Sequence, residues 1–258
     1  MTHVPLLRLR WADTTLLADT DTARDATLLD AQETRAYQRF LSPEDRRDYA
    51  AAHALLRRTL TCVIPHHPPE AWCFERAALG KPYLSAPDLD GPPLRFSLSH
   101  TRGHVACAVS RDGEVGVDAE CRSHINDLAR LMAGVCSADE QAQVRAAPAS
   151  EQADRFLDLW SLKEAYVKTC GTGIDTKLPQ ITFDLRVPSL VRASLPAETA
   201  RTWWFALFRP ARDSRIAIAM APDWGSEVRL AAAAVGSGGQ SAPRPMAPIR
   251  LSARPILR

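Results

Sequence analysis

The run EVGVDAEC, residues 114–121, sets two carboxylates, Asp118 and Glu120, two apart in an otherwise apolar stretch. On a strand, that spacing puts both on one face. Two like charges roughly 6–7 Å apart at an effective dielectric of about 20 repel by about 2.5 kcal/mol, so something must offset them. A second run, WSLKEAYVK at 160–168, adds Glu164, with Lys163 just before it and Lys168 one helical turn after it. If that helix packs over the strand, Asp118, Glu120 and Glu164 make an oxygen-rich site for a hard cation such as Mg²⁺. Mg²⁺ keeps waters and completes its shell with phosphate oxygens. Lysines at 163 and 168 beside it suit a pyrophosphate. Each run alone has a plainer meaning: an acidic edge-strand face that discourages strand pairing, and a surface Glu164–Lys168 pair worth a few tenths of a kcal/mol.

Lys163 falls inside the apolar stripe of its helix, formed by Phe156, Leu159, Trp160, Tyr166, Val167 and Cys170. An ammonium there must snorkel out, pair with an anion or bind a ligand. Other polar groups sit at strand and loop ends. Ser99 and His100 close the strand LRFSLSH, where a histidine can touch a phosphate or leaving group. Lys81 is presented by the loop GKPYL, and Arg46 and Arg47 lie near the first turn of a helix, where the dipole disfavours cations. The plain reading of all these charges, and of Arg57 and Arg58 further along, is a solvated surface. No G-x-S-x-G and no Ser-His-Asp order marks a hydrolase triad.

Elements that would position these residues follow from periodicity and caps. The first part reads as a strand at 4–11, helices at 30–41 and 42–60 (the second capped by Ser42 with Pro43 at its first position), and a short strand at 71–77. Strands at 94–100, 104–110 and 114–120 are joined by hairpin-type turns TRG and RDG. In 94–100, Phe96 and Leu98 alternate with Ser97 and Ser99, as in a half-buried strand. Then come helices near 125–134, from Ser137 with an SADE capping box, and from about Ser150 to Thr169, stopped by GTG. Strands follow near 179–186, 201–209, 214–221 and 226–232. The order, helices then strands twice, predicts an α+β chain of two halves, 1–113 and 114–235, with the carboxylate strand at the boundary. The Gly-, Ser-, Pro- and Arg-rich segment 236–258 reads as a disordered tail.

The chain has 258 residues and a net charge of +2, too mild a balance to argue for nucleic-acid binding. No run approaches a membrane span, the N-terminus lacks a signal-peptide pattern, and the six cysteines form no C-x-x-C pair. These features predict a cytoplasmic protein with reduced thiols and no membrane partner. His66-His67 beside Pro68-Pro69 reads as a solvated loop rather than a metal site.

Taken together, GKPYL, FSLSH, GVDAE and WSLKEAYVK, in that order and spacing, resemble the 4′-phosphopantetheinyl transferases. The match is to the larger single-chain subclass, often called Sfp-type after the enzyme that activates surfactin synthetase. It covers residues 40–185 by motif and 1–232 by architecture. The resemblance implies two similar α+β halves related by a pseudo-twofold axis, with coenzyme A in the cleft between them, and a monomer. It implies transfer of the phosphopantetheine arm of coenzyme A to a serine of an acyl or peptidyl carrier protein, releasing adenosine 3′,5′-bisphosphate. The carriers concerned serve fatty acid, polyketide or nonribosomal peptide synthesis.

Carried over by motif, Asp118, Glu120 and Glu164 would hold Mg²⁺. Lys168 would contact the phosphates, with Lys163 supporting the same region. Ser99 and His100 would line the coenzyme A site, Lys81 would reach its adenine or phosphate end, and Arg46 or Arg47 would meet the 3′-phosphate. Glu164, or a water it orients, is the implied base, with His100 as the alternative. A metal-dependent phosphohydrolase using the same carboxylates and a non-catalytic coenzyme A- or carrier-binding protein are the rival readings.

Overall fold

Leu7, Leu9 and Trp11 alternate with arginines and turn inward from β1 (Leu6–Asp13), at the middle of the first sheet. The computed structural model describes residues 4–85, 91–173, 178–187, 189–196, 202–224, 227–236, 244–245 and 250–252. In chain order its other elements are α1 (Asp19–Ala26), α2 (Ala31–Arg39), α3 (Pro43–Val63), β2 (Phe74–Arg76), β3 (Pro82–Leu84), β4 (Arg95–Thr101), β5 (His104–Ser110) and β6 (Gly113–Cys121). There follow α4 (Leu128–Val135), α5 (Ala138–Ala146), α6 (Gln152–Cys170), β7 (Thr182–Asp184), β8 (Leu190–Ser194), β9 (Trp204–Phe208), β10 (Ser214–Pro222), β11 (Arg229–Ala234), β12 (Arg244–Pro245) and β13 (Arg250–Ser252).

The architecture is α+β. One sheet has the order β12-β11-β1-β5-β4, the other β6-β10-β9-β13-β8-β7, and β2 and β3 form a separate hairpin. Each large sheet carries one long helix. Ala51, Ala52, Leu55, Leu56 and Leu60 of α3 pack on Phe96, Val105, Cys107 and Val109. Phe156, Leu159, Leu162 and Tyr166 of α6 pack on Phe205, Leu207, Ala217 and Ala219. The opposite faces of the two sheets close on each other through Leu7, Leu9, Ala106 and Ala108 against Val115, Val117, Ile216 and Ile218. Val115, Val117 and Ala119 thus take the sheet-to-sheet face of β6, which leaves Gly116, Asp118 and Glu120 facing α6.

Several sequence expectations change. β5 and β6 lie in different sheets, so RDG is a crossover between sheets and not a hairpin turn; TRG does join an antiparallel pair, β4 and β5. Residues 229–234 return to the first sheet, parallel to β1, so the expected second half 114–235 loses its last strand to the first half. The expected disordered tail contributes two strands: β12 pairs with β11, and β13 sits between β9 and β8. Backbone N–H and C=O groups on open edges take such partners without apolar side chains, so the composition of the tail did not reveal them. The rest of 236–258 lies outside the described residues, apart from Gly236. Helix α1 has the polar sequence DTDTARDA and no apolar period. It is tied to α3 by Arg58–Asp25 at 2.7 Å.

Arg57, expected at the surface, is completely buried. It donates to the Glu33 carboxylate and the Trp72 carbonyl and lies 4.7 Å from the centre of the Phe74 ring. Glu33 also meets His53 Nδ1 at 2.7 Å. Burial alone would raise the Glu33 pKa, but the hydrogen bond and charge of His53, the Asp30 backbone N–H and the Arg57 charge together bring it down to about 2. A carboxyl held below its unfolded value stabilises the fold above about pH 4.5, and that stability drains away as pH falls toward 2. Urea denaturation of Glu33→Gln against wild type should therefore show a gap at pH 7 that narrows steadily below pH 4.5. The linked part is about 3 kcal/mol. A gap independent of pH would refute the linkage.

Candidate active site at the seam of the two sheets

β4 and β6 are edge strands of different sheets, and serine side chains sew them together. Ser97 Oγ accepts from Val117 N at 3.0 Å, and Ser99 Oγ accepts from Ala119 N at 3.1 Å. Both serines are buried, so the expected solvent face of β4 is the seam itself. The hydroxyls replace the backbone ladder that two edges in separate sheets lack.

Gly116 lets α6 come down onto this seam. A Cβ at that position would stand 2.1 Å from the Ala165 carbonyl oxygen and 2.6 Å from Thr169 N, both α6 backbone. The close approach lays Trp160, Glu164 and Lys168, spaced by four on one helix face, over Glu120 and Asp118. Lys168 Nζ donates to Asp118 Oδ1 at 2.6 Å and to Ser99 Oγ at 2.9 Å. Trp160 Nε1 donates to Glu120 Oε1 at 3.0 Å. Glu164 lies between these two contacts on the helix. Burial raises its pKa, and the neighbouring Asp118 and Glu120 charges push the same way against the Lys168 ammonium. Gly171, with φ +70°, ends the helix in the left-handed conformation that suits glycine.

Beside the carboxylates opens a cavity of about 530 Å³, lined among others by Lys81, Phe96, Leu98, Trp160, Glu164 and Lys168. Its wall is mostly apolar, with an acid and an ammonium on one side, which suits a ligand with a charged end and a long neutral part.

Asp118 is buried, and its Oδ2 has no hydrogen-bond partner. An orphaned carboxylate oxygen beside two more carboxylates suits a cation. Among the described residues no three His, Cys, Asp or Glu side chains stand as a ready ligand group. That is compatible with Mg²⁺, which is commonly held by one or two carboxylates and completed by waters and phosphate oxygens. The residues present fit such an ion.

Comparison with known proteins agrees with this geometry. Residues 114–221 match the family model of the 4′-phosphopantetheinyl transferase superfamily, and residues 18–112 match that of the 4′-phosphopantetheinyl transferase N-terminal domain. The 4′-phosphopantetheinyl transferase AcpT of Salmonella typhimurium is 34% identical over 140 residues, covering 52% of this chain and 67% of that protein. The chain belongs to the 4′-phosphopantetheinyl transferase family. Two other relatives are the transferase HetI of Nostoc sp., 31% identical over 160 residues (62% of this chain, 66% of that protein), and psf-1 of Bacillus pumilus, 36% identical over 154 residues (58% and 63%). The match thus spans just under two thirds of these last two proteins.

Within this phosphopantetheinyl transferase fold the seam brings together Asp118, Glu120, Glu164, Lys168 and Ser99. Lys81 reaches the cavity with its stem, while its ammonium is held by Glu114 at 2.8 Å and by the Thr169 carbonyl at 3.0 Å, at the negative end of α6. His100 is absent from the cavity wall. Part of the residue faces solvent, but its ring lies among protein groups and meets the Tyr49 ring edge-on at 6.5 Å, on the α3 side of β4. Desolvation by the surrounding protein lowers its pKa, helped by the charges of His53 and Lys168 and opposed by those of Asp48 and Asp45.

Two expectations, for Lys163 and Cys170, do not hold. Lys163 is not in the phosphate region: it is fully buried on the far side of α6, paired with Glu140 at 2.6 Å and donating to the carbonyls of Val135, Leu178 and Ile181 at 2.7–2.8 Å. Its place in the apolar stripe meant burial with an anion, the second of the three options open to it. Arg46 donates to the Phe40 carbonyl at 2.8 Å and Arg47 pairs with Asp48 at 3.2 Å, both outside the cavity wall, where a 3′-phosphate end of the ligand could still meet them. Cys170, expected in the apolar face of α6, is exposed at the helix end.

Trp160 is the site residue that sequence reasoning missed. Its spacing of four from Glu164 was the available signal, read only as part of an apolar stripe.

Proposed function

We propose that this chain transfers the 4′-phosphopantetheine arm of coenzyme A to a serine hydroxyl of an acyl or peptidyl carrier protein, with Mg²⁺ as the metal. The observation that carries the reading is the seam: Lys168 paired with Asp118, whose second oxygen has no hydrogen-bond partner, and Glu164 under the charges of Asp118 and Glu120, beside a largely apolar cavity. The serine oxygen attacks the β-phosphorus, the bond from that phosphorus to the bridging oxygen breaks, and adenosine 3′,5′-bisphosphate leaves. The serine proton passes to Glu164 or to a water that Glu164 orients. Lys168 neutralises phosphate charge. Ser99 holds the Lys168 ammonium in place, and the apolar wall shields the reacting groups from water. Asp118, Glu120 and Glu164 would hold the cation, which when bound supplies charge neutralisation at the pyrophosphate. Ser99, His100 and Lys81 border the coenzyme A site in this reading, and Arg46 or Arg47 meets its 3′-phosphate.

The chain fits the larger single-chain, Sfp-type subclass, acting as a cytoplasmic monomer on carriers of fatty acid, polyketide or peptide synthesis. Among the described residues, no helix is long and apolar enough to cross a membrane.

The test is incubation with coenzyme A, Mg²⁺ and apo carriers of each type. Mass spectrometry should show a carrier heavier by one phosphopantetheine arm. Unmodified carriers throughout, with a folded protein, would reject transfer, and phosphate release without any carrier would favour the phosphohydrolase. In the same assay Glu120→Gln should slow transfer on the order of a hundredfold or more. A wild-type initial rate in that variant would remove Glu120 from the metal site.

A further inference from the structure

Trp160 and Lys168 stand eight residues apart on α6, on either side of Glu164, and each donates to a different carboxylate of β6. The two donors differ in kind. Lys168 brings a positive charge. The Trp160 indole brings one neutral N–H and no acceptor, so it fixes a carboxylate oxygen without cancelling the negative charge a cation needs. Its ring is itself held: it packs 6.0 Å from the Phe156 ring and forms part of the cavity wall. Being half-buried, it is not a simple core aromatic.

We infer that Trp160 is the positioning residue of Glu120: its Nε1–H holds Oε1 and so sets the carboxylate in one orientation toward a divalent cation before that cation arrives. The inference rests on the cation reading of the seam. Hydrogen-bond partners of metal ligands typically change affinity or activity 10- to 100-fold when removed.

The experiment is a Mn²⁺ titration followed by electron paramagnetic resonance, with coenzyme A present and no carrier, so that no turnover occurs. Trp160→Phe keeps a ring in the wall and removes the N–H. Its Mn²⁺ Kd should rise roughly 10- to 100-fold. In a Glu120→Ala background the same change should add nothing, because the acceptor of the Trp160 N–H is already gone. An unchanged Kd in Trp160→Phe, or the same loss in both backgrounds, overturns the assignment. Failure of the wild type to bind Mn²⁺ overturns the cation reading, and the inference with it.

A second measurement does not depend on the Trp160→Phe variant folding. Of the six tryptophans, labelled with ¹⁵N in the indole, one N–H signal of the wild type should shift with Mg²⁺ and move again in Glu120→Gln. An indole spectrum indifferent to both overturns the assignment.

Discussion

Gly116→Ala should both destabilise the protein and abolish transfer. The added Cβ would meet the Ala165 carbonyl oxygen at 2.1 Å and Thr169 N at 2.6 Å. These are backbone atoms of one helix, and no side-chain rotation relieves them. The helix must lift from β6 as a unit. Overpacking of this kind costs about 1–3 kcal/mol and sometimes more; with backbone on both sides the upper end is expected. For a chain of this size, about 3 kcal/mol lowers Tm by roughly 6–12 °C. The contacts Lys168–Asp118 at 2.6 Å and Trp160–Glu120 at 3.0 Å span the same gap, so the folded fraction should lose activity as well. Thermal melts together with the carrier assay check both effects. A variant with wild-type Tm and wild-type rate would mean that α6 does not rest on Gly116.

Lys163→Met should be among the most destabilising single changes and should act far from the chemistry. Burial lowers the Lys163 pKa and raises that of Glu140, while each charge opposes the shift of the other. Removing the ammonium leaves Glu140 in the interior with only the Phe183 and Ser137 backbone N–H groups. It also strips a donor from three carbonyls. Breaking a buried pair from one side costs about 3–5 kcal/mol. Lys163→Met combined with Glu140→Leu should recover part of that loss, because no uncompensated charge remains. Lys168→Met gives the contrast: its half-buried ammonium should matter for rate far more than for stability. Chemical denaturation and transfer rates on the three proteins separate the cases. If Lys163→Met kept full stability and lost only its rate, Lys163 would belong at the phosphates after all.

The contrast between these two lysines shows where the reading of the sequence stopped. Both stand in WSLKEAYVK, five residues apart, and both were assigned to phosphate. Helical spacing separates them by more than a quarter turn. Which face meets the carboxylates depends on what packs against the other face, here Glu140 from α5 and the segment 178–181. Arg57 is a similar case. In sequence it is one more arginine of a basic helix, and its burial follows from Glu33, twenty-four residues away, and the Trp72 carbonyl.

What the chain determined by itself are the features set by local physics. The Ser42 cap of α3, the Ser137 capping box of α5 and the glycine stop of α6 all hold, because caps satisfy nearby backbone groups. So does the shared face of Asp118 and Glu120, because strand alternation fixes it. The residue pattern that resembles the phosphopantetheinyl transferases is local as well.

Tertiary structure alone decided that Ser97 and Ser99 bind two sheets into one seam, that β11 and β13 return to sheets begun much earlier in the chain, and that Trp160 reaches Glu120 across the gap Gly116 leaves open. These are contacts between segments twenty to more than two hundred residues apart. Their partners are chosen by which edges and faces remain unsatisfied once the local elements have formed, and no spacing within a single element encodes that choice.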